Sequence, residues 1–476
     1  MSAKKILFVA SEAVPFVSTG GLGDVIGSLP AALKRMDDSL DIRVIMPLYR
    51  GVDAGWREKM TEELVTTVPL VWRNQYAGVY SVVKDGVTFY FIDNEYYFLR
   101  KFLYGSFDDG ERFAFLCKAV VELLPKLDFI PDVLHAHDWQ SALSVIYIKR
   151  LFADNPDYDY KNIKTVFTIH NIEYQGIYSF DILHDVFGLS AEDAETVEFG
   201  GLVNLMKGAI VSADAVTTVS PSYAKEILTP EFSSGLHSVL ELYQDKISGI
   251  INGIDLNYYN PKTDTELFVN YDEENLEAKA KNKAELQRML GLPERPDVPM
   301  IAMITRLASH KGVDLVTHAI DELMSKDVQF VLLGTGDYHY EEFFKRLRDN
   351  YVAKAASLIT YNKELSKKIY AAADLFLMPS KSEPCGLAQM IASRYGTVPI
   401  TRNVGGLRDT IKEPDNGFTF NQYNSGDLMY AINRALEKYK DKDEWKKLVI
   451  RTMTTDFSWQ ASAEKYYELY QNLKKD

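Results

Sequence analysis

Cysteine is scarce in this chain: its 476 residues include only Cys117 and Cys385. Two thiols in so long a chain exclude a disulfide framework and indicate a reducing compartment, so we expect a cytoplasmic protein. An excess of positive charge is also missing, because the formal net charge is -14. Nucleic acids and anionic membrane surfaces are bound through clustered Lys and Arg side chains, and neither is therefore an expected partner.

Long apolar runs are absent as well. The N-terminal MSAKKILFVA passes almost at once into polar residues, and no stretch of about 20 apolar residues occurs in the chain. The sequence therefore predicts neither a signal peptide nor a membrane-spanning helix. With 46% hydrophobic and 25% charged residues and no low-complexity tract, the composition is typical of a globular protein of two or three domains.

Short apolar runs recur in both halves of the chain, separated by helical patterns. The runs are continuously apolar rather than alternating, which is typical of parallel strands covered on both faces. The predicted strands are Ile6–Ala10, Ile42–Met46, Val87–Ile92, Val133–Ala136, Thr165–Ile169, Ala215–Val219, Met300–Ile304, Phe330–Leu333, Ser357–Thr360, Leu375–Met378 and Val398–Thr401. The sequence thus predicts an α/β fold with two doubly wound, Rossmann-like lobes.

The boundary between the lobes is expected near Lys246–Ile254, where KISGIINGID is typical of a strand that ends in an Asn-Gly turn and is followed by a polar stretch. The predicted domains are an N-terminal lobe over 1–245, a C-terminal lobe over 246–455 and a final helix over 456–476. Ligands of open α/β sheets bind outside the carboxyl ends of the strands, and polar loops follow the predicted strands in both halves. We therefore expect the lobes to face a cleft that holds the site.

The first polar loop, STGGLGDV, runs from Ser18 to Val25 and leads from a predicted strand into a helical pattern. Gly20, Gly21 and Gly23 allow a ligand to approach the backbone, and the start of the helix offers free N–H groups to a phosphate. A simple βα turn is the alternative. The spacing differs from G-x-G-x-x-G, which argues against a dehydrogenase.

A second polar segment, HAHDW, ends the strand at Val133–Ala136. Strand alternation puts His135 and His137 on one face, as in a metallohydrolase. A metal site needs about three or four convergent ligands, however, and no further cluster with ligand spacing is evident, so we expect no metal. Asp138 and Trp139 suit a sugar contact better, through a carboxylate and an aromatic face; core packing of Trp139 is the alternative.

Three more polar segments follow predicted strands. His170 stands in TIHNIEYQG, where a satisfied structural histidine is the alternative to a ligand contact. TRLASHKG places Arg306 and Lys311 near a helix start, where the helix dipole disfavours cations unless an anion is bound. PSKSEPCGLAQ adds Glu383, which is also suited to capping a helix, and the backbone N–H groups that follow it. Together these groups are suited to a sugar joined to a diphosphate.

With these motifs placed, the chain resembles the bacterial glycogen synthases and plant starch synthases, which are retaining glycosyltransferases with two Rossmann lobes (GT-B type). The resemblance runs essentially from end to end. The motifs that carry it are the glycine-rich loop at Pro15–Val25, HAHDW at His135–Trp139, HN-x-x-YQG at His170–Gly176, NGID at Asn252–Asp255, R-L-x-x-x-K-G at Arg306–Gly312 and EPCGL at Glu383–Leu387.

The resemblance implies transfer of glucose from ADP-glucose to the non-reducing end of an α-1,4-glucan such as glycogen, with no metal or other cofactor. The catalytic residues it implies are Asp138, His170, Arg306, Lys311 and Glu383. The donor-binding residues it implies are Ser18, Gly20, Gly21, Asn252, Tyr361, Cys385, Gly386 and Leu387. In this family pattern Arg306 and Lys311 would neutralise the leaving diphosphate, and Tyr361 would lie against the adenine.

One position departs from the family pattern. Many relatives have a lysine that contacts the donor phosphate where this chain has Ser18, which leaves the choice between ADP-glucose and UDP-glucose open. Two other functions are alternatives: a glucan-binding regulator without catalysis, and a phosphorylase-like enzyme that uses inorganic phosphate. The retained Arg306, Lys311 and Glu383 argue against the first, and the lack of a recognisable cofactor-lysine context argues against the second.

Overall fold

The computed structural model describes residues 4–473, which form two compact units. The first unit contains the residues up to Gly253 and those from Trp459 onward, and the second unit is Ile254–Ser458. Each unit is built around one main β-sheet with helices packed against it.

The strands alternate with helices through most of the chain. In chain order the strands are β1 (Lys5–Val9), β2 (Asp41–Pro47), β3 (Thr61–Leu70), β4 (Arg73–Lys84), β5 (Val87–Asp93), β6 (Val133–His137), β7 (Lys164–Ile169), β8 (Ile177–Tyr178), β9 (Glu198–Phe199), β10 (Leu202–Asn204), β11 (Ala215–Thr218), β12 (Ile247–Gly249), β13 (Met300–Ile304), β14 (Gln329–Leu333), β15 (Ala355–Leu358), β16 (Leu375–Met378), β17 (Val398–Arg402) and β18 (Phe418–Phe420).

The helices of both units follow the same order. They are α1 (Gly21–Met36), α2 (Ala54–Arg57), α3 (Glu95–Phe98), α4 (Asp109–Leu123), α5 (Trp139–Arg150), α6 (Asp181–Asp185), α7 (Ala194–Val197), α8 (Leu205–Ser212), α9 (Pro221–Glu226), α10 (His237–Leu242), α11 (Glu277–Leu290), α12 (Val313–Ser325), α13 (Tyr338–Asn350), α14 (Lys363–Ala372), α15 (Ala388–Arg394), α16 (Gly405–Thr410), α17 (Ser425–Lys440), α18 (Lys442–Thr454) and α19 (Trp459–Leu473). Short 3-10 turns lie at Tyr160–Asn162, Gln244–Lys246 and Ser309–Lys311.

Both main sheets are doubly wound. The first has the strand order β12-β11-β7-β6-β1-β2-β5-β4-β3, in which β4 runs antiparallel to its neighbours β5 and β3 and the other neighbouring strands are parallel. The second has the order β15-β14-β13-β16-β17-β18 and is parallel throughout. The direction of winding reverses between β1 and β6 in the first sheet and between β13 and β16 in the second. Ligands of such sheets bind at this switch point.

Burial explains why the apolar runs form the inner strands. Ile6, Leu7, Phe8 and Val9 of β1 have no exposed surface, as expected for a central strand with helices on both faces. The apolar face of α1 packs on this sheet, and its residues Val25, Ile26, Leu29 and Leu33 are all buried. The prediction of two α/β units with parallel sheets is confirmed.

Some elements escaped the sequence reasoning. Strands β3 and β4 form an antiparallel hairpin at the edge of the first sheet, and β3 is largely exposed, so it lacks the continuous apolar run used to find strands. The strand expected at Ser357–Thr360 begins two residues earlier, at Ala355. A three-stranded sheet, β8-β10-β9, and the short strand β18 were not predicted.

The end of the first unit is formed by two separate parts of the chain. Strand β12 pairs with β11 in the first sheet, so the residue boundary of 245/246 suggested by the sequence falls just before the last strand of that sheet. Helix α19 packs against α1, and the Ser462 hydroxyl donates a 2.6 Å hydrogen bond to the Ile251 carbonyl. Within residues 4–473, none of the helices combines the length and apolar character needed to cross a bilayer.

Candidate active site

In the first unit the switch point is flanked by the loops after β1 and β6. The loop after β1 leads into α1 through Gly20 and Gly21. A Cβ atom at either glycine would have no neighbouring heavy atom within 4 Å, and neither N–H group has an acceptor among residues 4–473. Ser18 is exposed, and its hydroxyl donates to the Gly20 carbonyl at 3.1 Å. This loop therefore presents open backbone donors at the start of a 16-residue helix.

A buried carboxylate that the sequence analysis missed holds this loop in place. Glu12 is 1% exposed and accepts hydrogen bonds from the Thr19 N–H at 2.8 Å, the Thr19 hydroxyl at 2.7 Å and the Gly23 N–H at 3.1 Å. Burial raises the pKa of Glu12, and these hydrogen bonds oppose that rise. A polar residue directly after a buried strand was the available signal, but its partners lie seven and eleven residues further along.

Asp138, in the loop after β6, has an unusual backbone. Its φ of 58° and ψ of 175° lie in a region that residues other than glycine rarely adopt. This backbone conformation costs about 1–3 kcal/mol. The carboxylate accepts a 2.7 Å hydrogen bond from the His170 N–H. Burial raises the pKa of Asp138 to about 7; hydrogen bonds from the backbone of His170 and Asn171 oppose the rise, and the charge of Glu12 adds to it. The chain therefore holds a carboxyl group that titrates near neutral pH.

This pKa makes stability depend on pH in a testable way. The folded protein binds the Asp138 proton more tightly than the unfolded chain does, so stability falls as pH rises from about 4 to about 7. Asp138→Asn removes this pH-dependent loss of stability, because asparagine does not titrate. Its amide oxygen can still accept the hydrogen bond from the His170 N–H. We expect Asp138→Asn to melt at a higher temperature than the parent protein at pH 8 and the difference to shrink at pH 4.

Thermal unfolding at both pH values measures this effect. The matched control is Asp128→Asn, which changes an exposed aspartate that also has a positive φ, 49°. A melting-temperature difference for Asp138→Asn that is equal at both pH values would contradict the assignment.

The two histidines of the HAHDW motif lie on one face of β6, as alternation predicted, with ring centroids 4.1 Å apart. His135 makes hydrogen bonds to the Thr168 hydroxyl at 2.6 Å and the Tyr470 hydroxyl at 2.7 Å. His137 contacts His170, with 2.9 Å between His137 Nδ1 and His170 Nε2. In the part of the chain that the structure describes, no three His, Cys, Asp or Glu side chains are grouped as ligands for a metal ion.

Trp139 is packed inside the first unit. Its side chain is 8% exposed and packs against Phe113 and Tyr178, at centroid distances of 5.4 and 6.0 Å. These contacts favour the core-packing alternative for Trp139 over the sugar contact. The ring is drawn inward because it is the first residue of α5, which packs against α4 and the sheet.

Two further predicted residues differ in their surroundings. Asn252, in the first unit, is 5% exposed, and its Oδ1 atom has no hydrogen-bond partner in the described chain. Tyr361, in the second unit, is 78% exposed and directly precedes Asn362, which caps α14. A ring that is so exposed is available for stacking on a planar ligand.

In the second unit the switch point is flanked by the loops after β13 and β16. Arg306 follows β13 and is exposed, and its guanidinium makes no hydrogen bond or ion pair with any residue in the described range. Lys311 lies in the same loop, and its ammonium contacts both carboxylate oxygens of Glu383, at 3.0 and 2.8 Å. Glu383 is 6% exposed and also accepts from the Ser380 hydroxyl at 3.0 Å.

The ion pair with Glu383 explains how the positive charge of Lys311 is balanced near the start of a helix. From the sequence a bound anion was expected to balance the ammonium, whereas in the structure the Glu383 carboxylate lies there. Glu383 was also interpreted as a helix cap. In the structure it lies five residues before α15 and binds Lys311 instead, a pairing across 72 residues that spacing alone does not reveal.

Close backbone contacts position these two loops. Gly312 has a φ of 75°, and a Cβ atom there would lie 2.1 Å from the Pro379 carbonyl oxygen. Gly406 supports the second loop, because a Cβ atom there would lie 2.4 Å from the Cα atom of Cys385. Only glycine allows either approach, so the loop after β13 is held against the loop after β16.

The backbone after Glu383 turns sharply before α15. Gly386 has a φ of 75°, and the N–H groups of Gly386 and Leu387 have no acceptor within residues 4–473. Cys385 is buried, at 5% exposure. The predicted site residues thus fall into two groups, one in each unit, with Asp138 bonded to His170 in the first and Lys311 bonded to Glu383 in the second.

Two family models match the chain. Residues 5–242 match the starch synthase catalytic domain, and residues 288–450 match the group 1 glycosyl transferases. Among curated proteins, the chain is 48% identical to a glycogen synthase of Bacillus cereus, over 98% of this chain and 99% of the relative. It is 46% identical to a glycogen synthase of Geobacillus thermodenitrificans, over 99% of this chain and 98% of the relative.

Solved structures are similar too. The catalytic domain of starch synthase IV from Arabidopsis thaliana, bound to ADP and acarbose, has a TM-score of 0.91 and 34% identity, with 100% of both chains covered. Sucrose-phosphate synthase from Thermosynechococcus elongatus has a TM-score of 0.62 and 17% identity, over 99% of both chains, and shares the fold. The predicted fold class, two Rossmann-like units of the GT-B type, is confirmed.

Proposed function

We propose that this chain, which belongs to the family of bacterial glycogen synthases and plant starch synthases, transfers glucose from ADP-glucose to the non-reducing end of an α-1,4-glucan. The transfer would retain the configuration at the anomeric carbon, as the family resemblance implies. The observation that carries the proposal is the pair of cationic side chains at the switch point of the second unit. The Arg306 guanidinium has no hydrogen-bond or ion-pair partner among residues 4–473, and the Lys311 ammonium is paired with the Glu383 carboxylate.

The chemistry explains why cations are needed at this place. When the bond to the anomeric carbon breaks, negative charge builds up on the departing diphosphate, and preorganised donors that meet this charge lower the barrier. Arg306 offers a planar set of N–H donors that matches phosphate oxygens, and Lys311 supplies a compact charge. The family resemblance also assigns Gly20 and Gly21 to donor binding, and their N–H groups would be neutral donors to a phosphate.

Glu383 would bind the sugar of the donor, and Lys311 would bind its phosphate. In the structure each carboxylate oxygen is bonded to the Lys311 ammonium. A phosphate oxygen would take over part of the lysine's hydrogen bonding, and the carboxylate would then accept from sugar hydroxyls. The N–H groups of Cys385, Gly386 and Leu387 follow directly in the chain and would bind the same sugar.

Asp138 and His170 would act in the first unit. Burial lowers the pKa of His170 to about 3, so its imidazole is neutral at physiological pH and is suited to hydrogen bonding rather than to holding a positive charge. We assign it a contact with the glucosyl ring. Asp138, bonded to the His170 backbone, would orient the substrates. Asn252, whose Oδ1 atom has no hydrogen-bond partner among residues 4–473, would line the substrate site, and Tyr361 would stack on the adenine.

A transfer assay tests the proposal. The protein is incubated with glycogen and ADP-glucose labelled in the glucosyl group, and released ADP and polymer-bound label are measured together. We expect equal amounts of the two and, after enzymatic debranching, label in α-1,4 linkage at chain ends. A regulator without catalysis would release no ADP. A phosphorylase would instead form glucose 1-phosphate from glycogen and inorganic phosphate.

We also propose that the transfer requires no metal and no organic cofactor, and that the protein acts in the cytoplasm. Addition of EDTA to the transfer assay should leave the initial rate unchanged. A rate that falls with EDTA and returns with a divalent cation would overturn the metal part of this proposal.

The Ser18 position offers a test of donor binding. Ser18→Lys would place an ammonium beside the open N–H groups of Gly20 and Gly21, where the diphosphate is expected. A charge-assisted hydrogen bond there contributes about 1.5 kcal/mol, so we expect the KM for ADP-glucose to fall about tenfold. The comparison is with Ser18→Gln, which adds length without charge. Equal KM values for the lysine and glutamine variants would place the diphosphate elsewhere.

A further inference from the structure

His137, which no step of the proposed reaction uses, has one ring nitrogen without a partner. The side chain is fully buried, and its Nε2 atom has no hydrogen-bond partner among residues 4–473. Its Nδ1 atom lies 2.9 Å from Nε2 of His170. The ring stacks on Phe8 at a centroid distance of 5.6 Å and packs against His135 at 4.1 Å, so it lies in largely apolar surroundings.

The hydrogen bond between His137 Nδ1 and His170 Nε2 has two possible arrangements, in which the proton is on one nitrogen or on the other. Burial lowers the pKa of both rings, so each is neutral and carries one N–H. If His137 is protonated at Nε2, a fully buried N–H has no acceptor. If His137 is protonated at Nδ1, the Nε2 atom without a partner carries a lone pair instead of a proton. Buried N–H groups without partners are the rarer of the two, which favours the Nδ1–H form of His137.

The position of the proton on His137 determines which nitrogen of His170 is protonated. A His137 Nδ1–H donates to Nε2 of His170, so Nε2 of His170 is an acceptor and the His170 proton must be on Nδ1. That Nδ1 atom has no partner among the described residues, and the His170 side chain is partly exposed. The His170 ring therefore presents an N–H donor on its exposed side.

We infer that His137 is a positioning residue that fixes the tautomer of His170, so that His170 meets the substrate as a hydrogen-bond donor through Nδ1–H. The substrate group would be an oxygen atom of the glucosyl unit, either a hydroxyl or the ring oxygen. The identity of that group rests on the proposed function, whereas the tautomer does not.

The tautomer is measured directly by NMR. Two-bond ¹H–¹⁵N correlation spectra of the full-length protein, labelled at histidine ring nitrogens, distinguish Nδ1–H from Nε2–H rings. The signals of His170 are identified as those lost in His170→Gln. We expect the Nδ1–H pattern for both His170 and His137. An Nε2–H pattern for His170, or a mixture of both forms, would overturn the inference.

Substitutions at His137 separate positioning from packing. In His137→Asn the side-chain amide lies near the position of Nδ1 of the histidine ring and can donate a hydrogen bond to His170. In His137→Gln the amide lies near the position of Nε2 of the histidine ring instead. We expect kcat within about threefold of the parent protein for His137→Asn, and about a tenfold loss for His137→Leu with little change in KM. In His137→Leu the His170 signals should lose their pure Nδ1–H pattern. Equal kcat values for the asparagine and leucine variants, with both folded, would contradict the positioning role.

The tautomer of His170 and its role in glucosyl transfer are tested separately. If His170 has the Nδ1–H pattern but His170→Ala transfers glucose at the parent rate, the inferred tautomer stands and the proposed role of His170 falls. If the parent protein transfers no glucose, the NMR result still decides the tautomer.

Discussion

Arg306→Ala is expected to reduce kcat/KM for glucosyl transfer by about 100- to 1000-fold without weakening the fold. Removing one preorganised donor that meets developing charge removes about 3 kcal/mol of transition-state stabilisation. The Arg306 side chain is exposed, and its guanidinium has no hydrogen bond or ion pair with any residue from 4 to 473, so its removal breaks no polar side-chain interaction. The free energy of unfolding should therefore change by no more than about 0.5 kcal/mol.

Steady-state kinetics and urea unfolding of the same preparation check both expectations. Arg306→Lys is the matched variant, since it keeps the charge but removes the planar set of donors, and we expect an intermediate rate. Arg346→Ala serves as the control for an exposed arginine of the same unit, on α13. If Arg306→Ala transferred glucose at the rate of that control, the assignment of Arg306 to the diphosphate would be lost.

Lys311→Ala is expected to lose a similar factor in kcat/KM and, unlike Arg306→Ala, to destabilise the protein. The substitution leaves the carboxylate of Glu383, which is 6% exposed, without its ammonium partner. An unpaired charge of this kind costs about 1–3 kcal/mol, here at the lower end because the Lys311 side chain is 20% exposed. Glu383→Ala should also lose most turnover, since it removes the group assigned to the sugar hydroxyls.

A double substitution separates the two effects of Lys311. In Lys311→Met combined with Glu383→Gln, both charges are removed and the amide can still accept from the Ser380 hydroxyl. We expect a free energy of unfolding close to that of the parent protein and a transfer rate as low as that of either single alanine variant. Recovery of transfer in the double variant would mean that the pair acts through stability alone.

The strands at the centre of each sheet were readable from the sequence, because a strand buried on both faces leaves a continuous apolar run. Ile6–Ala10 and Met300–Ile304 are such runs, and each lies beside the switch point of its sheet. The hairpin of β3 and β4 was missed for the opposite reason. It lies at a sheet edge where one face is exposed, and its apolar residues are interrupted by polar ones.

The polar residues at the ends of the strands were also predictable, since parallel strands bring their carboxyl ends to one edge. What sequence reasoning could not supply is the choice of partner. Lys311 and Glu383 were each identified, but their ion pair joins loops 72 residues apart. His137 was noted only as half of a histidine pair on one strand face, and its bond to His170 depends on how β6 and β7 align. The two interpretations of Trp139 stayed open because an aromatic side chain has the same appearance in a sequence whether it packs inward or faces a ligand.

The most direct test of the account compares the affinities of ADP and AMP by calorimetry, in the parent protein and in Arg306→Ala and Lys311→Ala. AMP lacks the β-phosphate that the two cations are assigned to bind. We predict that the parent protein binds ADP at least about tenfold more tightly than AMP and that each variant loses most of this preference. A preference for ADP that persists unchanged in both variants would contradict the claim that these side chains meet the departing diphosphate.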